Sequence, residues 1–432
     1  MDLFRRDDTE YALTHFPESA ALDPTASSTP GGRSAGLELL KRANFARYAA
    51  TRSHLDGRVT RLSPYIRHGL LTLAEVRDAA IARHDPAAIE KLLSELAWRD
   101  YYQRLYLLLG DRVWSNLEPY KTGLASDDYA EELPQDIPAG NTGLACIDAF
   151  AVELRETGYL HNHARMWVSA YVVHFRRVSW QAGARWFLAH LLDGDDASNN
   201  LSWQWVASTF SHKPYFFNRE NLERYTDARY CTTCPARHAC PFAGEYETVG
   251  AKLFPPPHPH AEPPAEGAGR SISLRVIAHA ERPAPLPTSG AVVWGHEDAL
   301  SATHPAYGSG LPTLVTLDPR WMVERGYSFK RTLFLVESGS ELVQNVPGAV
   351  RAVGDAVELL REFARTHSAA GILIPYSPAP RIRAVAAELA TTHRVDWVHP
   401  PAFAPLTGGV DLARFSRYWR KIEGVVSRPT GG

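Results

Sequence analysis

An acidic, amide-rich segment stands in the middle of the chain between two apolar sequences. Asp193, Asp195 and Asp196 supply carboxylates, Asn199 and Asn200 supply amides, and a sequence with two tryptophans follows at once. A surface loop would explain this polarity. Burial of so many polar groups is costly unless they hold a molecule rich in hydrogen-bonding groups. A ligand site and a surface loop therefore both stay open.

The sequence HNHARM suggests a second polar group. In a helix, Asn162, Arg165 and Met166 lie at i, i+3 and i+4 and share one face, which brings together an amide, a cation and a thioether. His161 and His163 are two residues apart and point to different faces, which disfavours a shared metal ion. We interpret these histidines as packing or supporting groups.

Two more segments carry groups that could bind a ligand. In TRLSPY, Ser63 is predicted to cap a helix that begins at Pro64, and free N–H groups beside hydroxyls and a guanidinium suit a phosphate. In ELAWR, Glu95, Trp98 and Arg99 lie at i, i+3 and i+4 of a predicted helix. An ordinary capped helix and half-buried packing are the simpler interpretations of these two patterns.

The cysteines are concentrated in one short segment. Cys231, Cys234 and Cys240 fall within ten residues, and the fourth cysteine, Cys146, precedes them by 85 residues. A cytosolic protein does not normally keep disulfides, so this pattern favours a metal centre. An iron-sulfur cluster, a zinc ion and structural or redox thiols are all compatible with the spacing.

The elements that must position these groups change in kind along the chain. From about residue 36 to 222 the apolar residues recur at helical spacing. Prolines then dominate, around a possible strand at 272–277, and the runs GAVVW, TLVTLD, AGILIPY and VDWVH alternate with helical patterns after them. We predict a helical domain over 1–254, a proline-rich linker over 255–290 and a parallel α/β domain over 291–432.

Length and composition agree with this division. A chain of 432 residues exceeds the size at which one core stops growing, and 45% hydrophobic and 22% charged residues exclude wholesale disorder. No apolar stretch is long enough to span a bilayer, and the N-terminus lacks a signal-peptide core, so we expect a cytoplasmic protein and a monomer. With a net charge of −2, DNA binding would require a local basic cluster.

Taken together in this order, the motifs resemble the flavin-binding helical domain of the photolyase and cryptochrome family, from about residue 31 to 215. HLDGRVTRLSPYIRHGLL is similar to the opening motif of that domain and ELAWRDYY to its lesion-facing helix. TGYLHNHARM is similar to the central helix and LLDGDDASNNLSWQWVAST to the loop that cradles the flavin. The resemblance implies noncovalently bound FAD.

The resemblance also implies individual roles. Contacts to the FAD phosphates and the bent flavin are implied for Tyr48, Thr60, Arg61, Leu62, Ser63, Arg99, Asn162, Arg165, Asp193, Asp195 and Asn199, with Asn199 facing flavin N5. Contacts to a flipped cyclobutane pyrimidine dimer are implied for Glu95, Trp98, Asn162 and Met166. Trp203 and Trp180 resemble two members of the electron-transfer chain.

The sequence also departs from the family pattern. Val59 replaces the usual phosphate-loop threonine, Tyr159 replaces a tryptophan, and no tryptophan stands near the expected third position of the electron-transfer chain, where Tyr129 is the nearest aromatic residue. The cysteine set resembles the iron-sulfur branch of the family, which implies that Cys146, Cys231, Cys234 and Cys240 bind a 4Fe-4S cluster with a structural role.

The order of the domains is a further departure. The α/β segment is similar to the antenna domain of the family, which precedes the flavin domain there and follows it here. The chain therefore resembles a circular permutation. Whether the α/β domain binds an antenna chromophore, and which one, stays unknown.

The resemblance implies a photolyase, in which reduced, photoexcited flavin donates an electron to a flipped pyrimidine photoproduct in UV-damaged DNA. Asn162 and Met166 favour the cyclobutane dimer, whereas the flanking His161 and His163 keep the (6-4) photoproduct open. A cryptochrome-like blue-light receptor without repair activity is one alternative. A structural or DNA-binding protein that has lost its flavin is another.

Overall fold

A computed structural model describes residues 2–254, 275–278, 286–406 and 408–428. Helices dominate the first 254 residues, and strands alternate with helices after residue 290. The α-helices in chain order are α1 (Asp2–His15), α2 (Pro17–Leu22), α3 (Arg33–Arg42), α4 (Tyr48–Thr51), α5 (Ser63–Arg67), α6 (Leu73–Ile81), α7 (Glu90–Leu109), α8 (Asp136–Ala139), α9 (Ala145–Thr157), α10 (Asn162–Ala170), α11 (Trp180–His190), α12 (Asp196–Ala207), α13 (Arg219–Thr226), α14 (Tyr246–Leu253), α15 (Pro319–Glu324), α16 (Phe329–Asn345), α17 (Ala356–Thr366), α18 (Pro380–Leu389) and α19 (Phe415–Val426).

The strands form a parallel sheet and a separate antiparallel pair. In chain order they are β1 (Arg275–Ala278), β2 (Ala291–Gly295), β3 (Thr313–Leu317), β4 (Ala349–Val353), β5 (Gly371–Pro375), β6 (Arg394–Val398) and β7 (Gly408–Asp411). The five-stranded sheet has the order β4-β3-β2-β5-β6 with every pair parallel, and β1 pairs with β7 antiparallel. The predicted combination of helices with a parallel α/β sheet is confirmed.

The chain divides into two compact units. The first comprises Met1–Ala49, Val59–Gly110 and Leu274–Gly432, and the second comprises Ala50–Arg58 and Asp111–Ser273. The first unit therefore contains the whole parallel sheet together with α1–α3 and α5–α7. The second unit contains α8–α14.

Continuous apolar runs make the central strands of the first unit. Every residue of β2, β3 and β5 is buried, as expected for a parallel sheet that helices cover. Apolar side chains of α17 and α18, such as Leu360 and Ile382, pack with Val292, Trp294 and Ile372 of the sheet in one core cluster. The four strands predicted from apolar runs are confirmed.

The core of the second unit is rich in tryptophan. Trp167, Trp180 and Trp203 are fully or almost fully buried in one cluster with residues of α9, α10, α11 and α12. Between α10 and α11 the chain makes a π-helical turn at Tyr171–Phe175. Such turns are rare in helical proteins and occur often at functional sites.

The predicted proline-rich linker, 255–290, lies mostly outside the described residues. Within 255–285 the structure describes β1, which overlaps the strand predicted at 272–277 and pairs with β7 over four residue pairs. Among the described helices, none has both the length and the apolar character needed to cross a membrane.

Candidate functional site

In the first unit, α7 carries the three residues predicted to lie on one helical face. The helix forms because Leu92, Leu96, Leu105 and their apolar neighbours repeat at helical spacing and are buried. The Glu95 carboxylate is paired with the Lys91 ammonium at 2.7 Å. The Glu95 side chain is 27% exposed. Arg99 lies one turn further on and is half-buried.

Trp98 of α7 is covered on one face by a residue that the sequence analysis did not identify. The Phe415 ring, from the first turn of α19, stacks on the Trp98 indole with a centroid distance of 3.8 Å and an interplanar angle of 10°. No sequence signal could have indicated this contact, because the two aromatic residues are 317 positions apart.

The predicted capped helix at residues 60–65 differs in detail from the structure. Helix α5 begins at Ser63 itself, the preceding Leu62 is the N-cap residue, and no side chain caps the helix. Arg61 adopts a positive φ of 53° before it. The prediction of Ser63 as N-cap is therefore wrong by one position. A helix of only five residues offers no strong dipole for phosphate, so the proposed phosphate contacts of this segment depend on the resemblance alone.

In the second unit, the HNHARM sequence begins helix α10. His161 is the N-cap residue and is buried, and its Nδ1 accepts a hydrogen bond of 3.1 Å from the backbone N–H of His163. This contact is consistent with a supporting role for His161. The Asn162 amide lies 3.8 Å from the Met166 sulfur across one turn. The structure thus brings these two predicted lesion contacts together.

Arg165 forms an ion pair with Asp193 from the acidic segment. The guanidinium Nη2 donates to Asp193 Oδ2 at 2.9 Å, and Nε donates to the backbone carbonyl of Leu160 at 2.8 Å. The Asp193 side chain is only 7% exposed and that of Arg165 is 25% exposed. A pair at this depth is sensitive to loss of either partner, because the remaining charge would be stranded.

The acidic segment continues into helix α12. Asp195 is its N-cap residue, is 5% exposed, and accepts a hydrogen bond of 2.9 Å from the backbone N–H of Ser198. The Asn199 amide donates to the Ala184 carbonyl at 3.1 Å and to Asn200 Oδ1 at 3.0 Å. These side chains are hydrogen-bonded and half-buried or buried, so the simple surface-loop interpretation is not supported.

Three polar atoms in α12 have no hydrogen-bond partner within the described parts of the chain. They are Ser198 Oγ, Asn200 Nδ2 and Trp203 Nε1, all buried. Protein interiors rarely leave such groups unsatisfied, and a bound polar molecule or water is the usual partner. A flavin offers ring carbonyl, ring nitrogen and ribityl oxygen acceptors, so these residues fit FAD.

The two tryptophans of the predicted electron-transfer chain are both buried in the second unit. The Trp203 ring lies edge-to-face against Phe187 at 4.9 Å, and Trp180 Nε1 donates to Asn116 Oδ1 at 2.7 Å. Gly183 is required beside Trp203, because a Cβ there would come within 2.2 Å of Cη2 of the indole. Trp203 therefore has one well-defined position in this core.

Tyr129, the aromatic residue nearest the expected third tryptophan, is buried in the second unit. Its ring stacks on Tyr120 at 4.4 Å, and the next residue, Ala130, accepts a hydrogen bond of 2.8 Å from the backbone N–H of Ser179. Trp180 follows Ser179 directly. The tyrosine pair thus lies beside the start of α11.

All four cysteines belong to the second unit and are free. Cys146 is in the first turn of α9, and the other three follow α13. Burial, together with the thiols of Cys231, Cys240 and Cys234, raises the pKa of the Cys146 thiol. Burial also raises the pKa of Cys231, to about 11. Burial also raises the pKa of Cys240. The effect of the other three thiols on the pKa of Cys146 shows that they lie near it.

No group of three or more His, Cys, Asp or Glu side chains in the described ranges is arranged to hold a metal ion. The described side chains therefore do not show the predicted 4Fe-4S site, which stays a prediction.

Comparison with known proteins identifies the region that contains most of these residues. Residues 92–231 match the family described as the FAD binding domain of DNA photolyase. The matched range includes α7 from Leu92 onward, the Arg165–Asp193 pair, α12, Trp180 and Trp203. It excludes Tyr48, the 60–63 segment, Cys234 and Cys240.

Curated relatives match parts of this chain. A deoxyribodipyrimidine photo-lyase of Streptomyces griseus is 35% identical over 183 residues, which are 41% of this chain and 39% of that protein. A deoxyribodipyrimidine photo-lyase of Halobacterium salinarum is 33% identical over 237 residues, which are 51% of this chain and 49% of that protein. The match thus spans half or less of these relatives.

Among solved structures, a cryptochrome of Synechocystis sp. PCC6803 overlaps 54% of this chain and 54% of its own, with 21% identity and a TM-score of 0.43. The family match covers α10 and α12, so the chain is similar over residues 92–231 to the FAD binding domain of DNA photolyase.

Proposed function

We propose that this protein is a light-driven, FAD-dependent DNA photolyase that repairs UV-induced pyrimidine photoproducts. The observation that carries the proposal is the match of residues 92–231 to the photolyase FAD binding domain, within which α12 presents buried, unpartnered hydrogen-bonding groups. FAD, when bound and reduced, would supply the electron that splits the fused bases.

The chain's own residues have separate tasks in this proposal. The Arg165–Asp193 pair and Asp195 hold fixed charges and acceptors, and the Asn199 amide is fixed by Ala184 and Asn200. Fixed polar groups of this kind orient a ligand without reorganisation when charge moves. From the resemblance, we also propose cofactor contacts for Tyr48, Thr60, Arg61, Leu62, Ser63, Arg99 and Asn162.

For the lesion, we propose contacts from Glu95, Trp98, Asn162 and Met166. When fused pyrimidine bases are flipped out of the duplex, a protein recognises them by aromatic surfaces and by hydrogen bonds to the exposed base edges. Trp98 and Glu95 offer an indole and a carboxylate one turn apart on α7. The amide and thioether of α10 favour the cyclobutane dimer, and the (6-4) photoproduct is the second possible substrate.

We propose that the four cysteines bind a 4Fe-4S cluster and that the chain is a circular permutation with domains at 1–254, 255–290 and 291–432. The spacing of the four cysteines, their resemblance to the iron-sulfur branch and the proximity of the other three thiols to Cys146 support the cluster. The parallel sheet that follows the helical region in the chain supports the permuted order. Cytoplasmic location and a monomeric state are part of the same proposal.

The proposed electron route leads to a first prediction. Replacing Trp203 with phenylalanine should slow flavin photoreduction at least about tenfold, because an indole that can be oxidised is replaced by a ring that cannot. Trp180→Phe should act in the same direction. Flavin photoreduction under blue light, followed by absorption in the presence of a reductant, measures both variants.

Trp186→Phe is the matched control, since Trp186 is a buried tryptophan of the same helix as Trp180 and has no place in the proposed route. Its photoreduction rate should equal that of the wild type. A normal rate in Trp203→Phe would show that electrons enter by another route, for example through Tyr129.

A cryptochrome-like photoreceptor is the second candidate, and one specific observation favours it. Phe415 stacks on Trp98 and occupies a face of the indole that a flipped dimer could otherwise use. A receptor would need the flavin-binding region. It would not need an uncovered Trp98 indole to bind a lesion.

A repair assay distinguishes the candidates. The purified full chain is incubated with an oligonucleotide that contains one cis-syn thymine dimer, in blue light and in darkness, and restored thymine is measured; a (6-4) duplex is tested in parallel. We expect light-dependent repair of the dimer, reduced in Glu95→Gln and unchanged in Glu90→Gln, an exposed control on the same helix. Flavin photoreduction without repair of either lesion would favour the receptor, and protein without flavin would contradict both.

A further inference from the structure

Helix α19 exposes a row of cationic side chains. Arg414, Arg417, Lys421 and Arg428, here called the basic stripe, are all exposed. Arg414 is the N-cap residue of α19, Arg417 and Lys421 lie within the helix, and Arg428 follows its C-cap residue. The spacing of the first three places them on one side of the helix. Gly424 lies between Lys421 and Arg428 in the chain, and it has open space where a Cβ would be. The stripe therefore combines positive charge with room for close approach.

The adjacent side of α19 packs against α7. Tyr418, Ile422 and Val426 are fully buried. The Tyr418 hydroxyl donates to the Asp100 carboxylate, which also accepts a hydrogen bond of 2.8 Å from Arg104 Nε. A helix held by packing and a buried polar network cannot roll about its axis, so the basic stripe keeps one orientation.

The charge of this segment contrasts with that of the whole protein. Residues 414–428 contain five Lys and Arg residues and one Glu, whereas the chain as a whole has a net charge of −2. Arg417 is paired with Asp411 at 2.7 Å, but its side chain is 56% exposed. Exposed ion pairs contribute little to stability, so Arg417 can exchange Asp411 for a phosphate.

The basic stripe runs along α19 and its two ends, and Phe415 in the first turn of this helix stacks on Trp98 of α7. We propose that the basic stripe binds the phosphate backbone of DNA beside the helix that carries Glu95 and Trp98. The inference rests on the proposed function, because it takes damaged DNA as the partner. Backbone contacts of this kind position a protein on DNA and carry no sequence information.

Binding of the full chain to a fluorescent 30-bp duplex, with and without one thymine dimer, tests the inference across a range of salt concentrations. Each lost phosphate contact lowers the slope of log K against log salt by about 0.9. The double variant Lys421→Gln/Arg428→Gln should therefore lower the slope by about 1.8 and weaken binding about tenfold or more near 0.1 M salt. Both duplexes should be affected equally, and flavin content should not change.

The matched control is Arg365→Gln/Arg394→Gln, which removes two exposed cations from α17 and β6, with side chains 74% and 65% exposed. Its slope and affinity should equal those of the wild type. An unchanged slope in the Lys421→Gln/Arg428→Gln variant would overturn the inference. It would not bear on the proposed repair function. A wild type that binds no DNA would instead refute the proposed function. Phosphatidylserine vesicles serve as a second anionic probe. If the Lys421→Gln/Arg428→Gln variant lost binding to these vesicles while its DNA binding stayed unchanged, the inference would also be overturned.

Discussion

Replacing Cys146 with serine should leave most of the protein insoluble and remove its iron. In the proposed cluster, Cys146 ties the start of α9 to the segment after α13, so ligation links two parts of the second unit that are 85 residues apart in the chain. Binding at structural metal sites is worth on the order of 10 kcal/mol, similar to the whole folding stability of about 5–15 kcal/mol. Cys231→Ser, Cys234→Ser and Cys240→Ser should behave alike. Soluble yield and iron content per chain are the measurements.

Thr233→Ser is the matched control, because it changes an exposed residue between two of the cysteines and keeps every thiol. It should give wild-type yield with about four irons per chain. One zinc and no iron in the wild type would contradict the cluster. A Cys146→Ser protein that folds and binds FAD normally would contradict its structural role.

Asp193→Asn should lower both the stability of the protein and its flavin content. The variant leaves the Arg165 guanidinium without its counter-charge, and breaking a buried pair costs about 3–5 kcal/mol. We expect about 3 kcal/mol, the lower end, because 25% of the Arg165 side chain is exposed. Urea unfolding gives the loss of stability, and the flavin absorption per chain gives the loss of cofactor.

Two further variants separate these effects. Asp136→Asn breaks the Arg176–Asp136 pair, whose side chains are 27% and 35% exposed, and should cost no more than about 1 kcal/mol with full flavin content. Arg165→Met added to Asp193→Asn removes the stranded charge and should restore stability without restoring flavin. Wild-type flavin content in Asp193→Asn would contradict the role assigned to this carboxylate.

The central elements of the fold were predictable because their signals are local. The apolar runs that became β2, β3, β5 and β6 and the helical spacing around α7 and α10 are visible within a few residues. Strand β4 was missed because it is at an edge of the sheet and is only partly buried, so its sequence AVRAV has no continuous apolar run. Strand β7 was missed because its partner, β1, is more than 100 residues away.

The candidate site shows the same limit. The Asp193, Asp195 and Asn199 group could be singled out because its members are neighbours in sequence, and the structure pairs Asp193 with Arg165. The stacking of Phe415 on Trp98 and the support of Trp180 by Asn116 depend on tertiary packing between distant segments. The spacing of residues along the chain does not indicate such contacts.

The assembly of the first unit from three chain segments has a consequence for synthesis. Its hydrogen bonds join Gly31 to Glu337 and Tyr101 to Leu412, residues that are 306 and 311 positions apart. A ribosome that adds about 5–20 residues per second needs roughly 15–60 s to make such a stretch. During that interval the apolar side of α7 has no access to α19, whereas the second unit, continuous from Asp111 apart from one short segment, can already fold. Nascent chains should therefore depend on chaperone protection of their N-terminal helices until translation is almost finished.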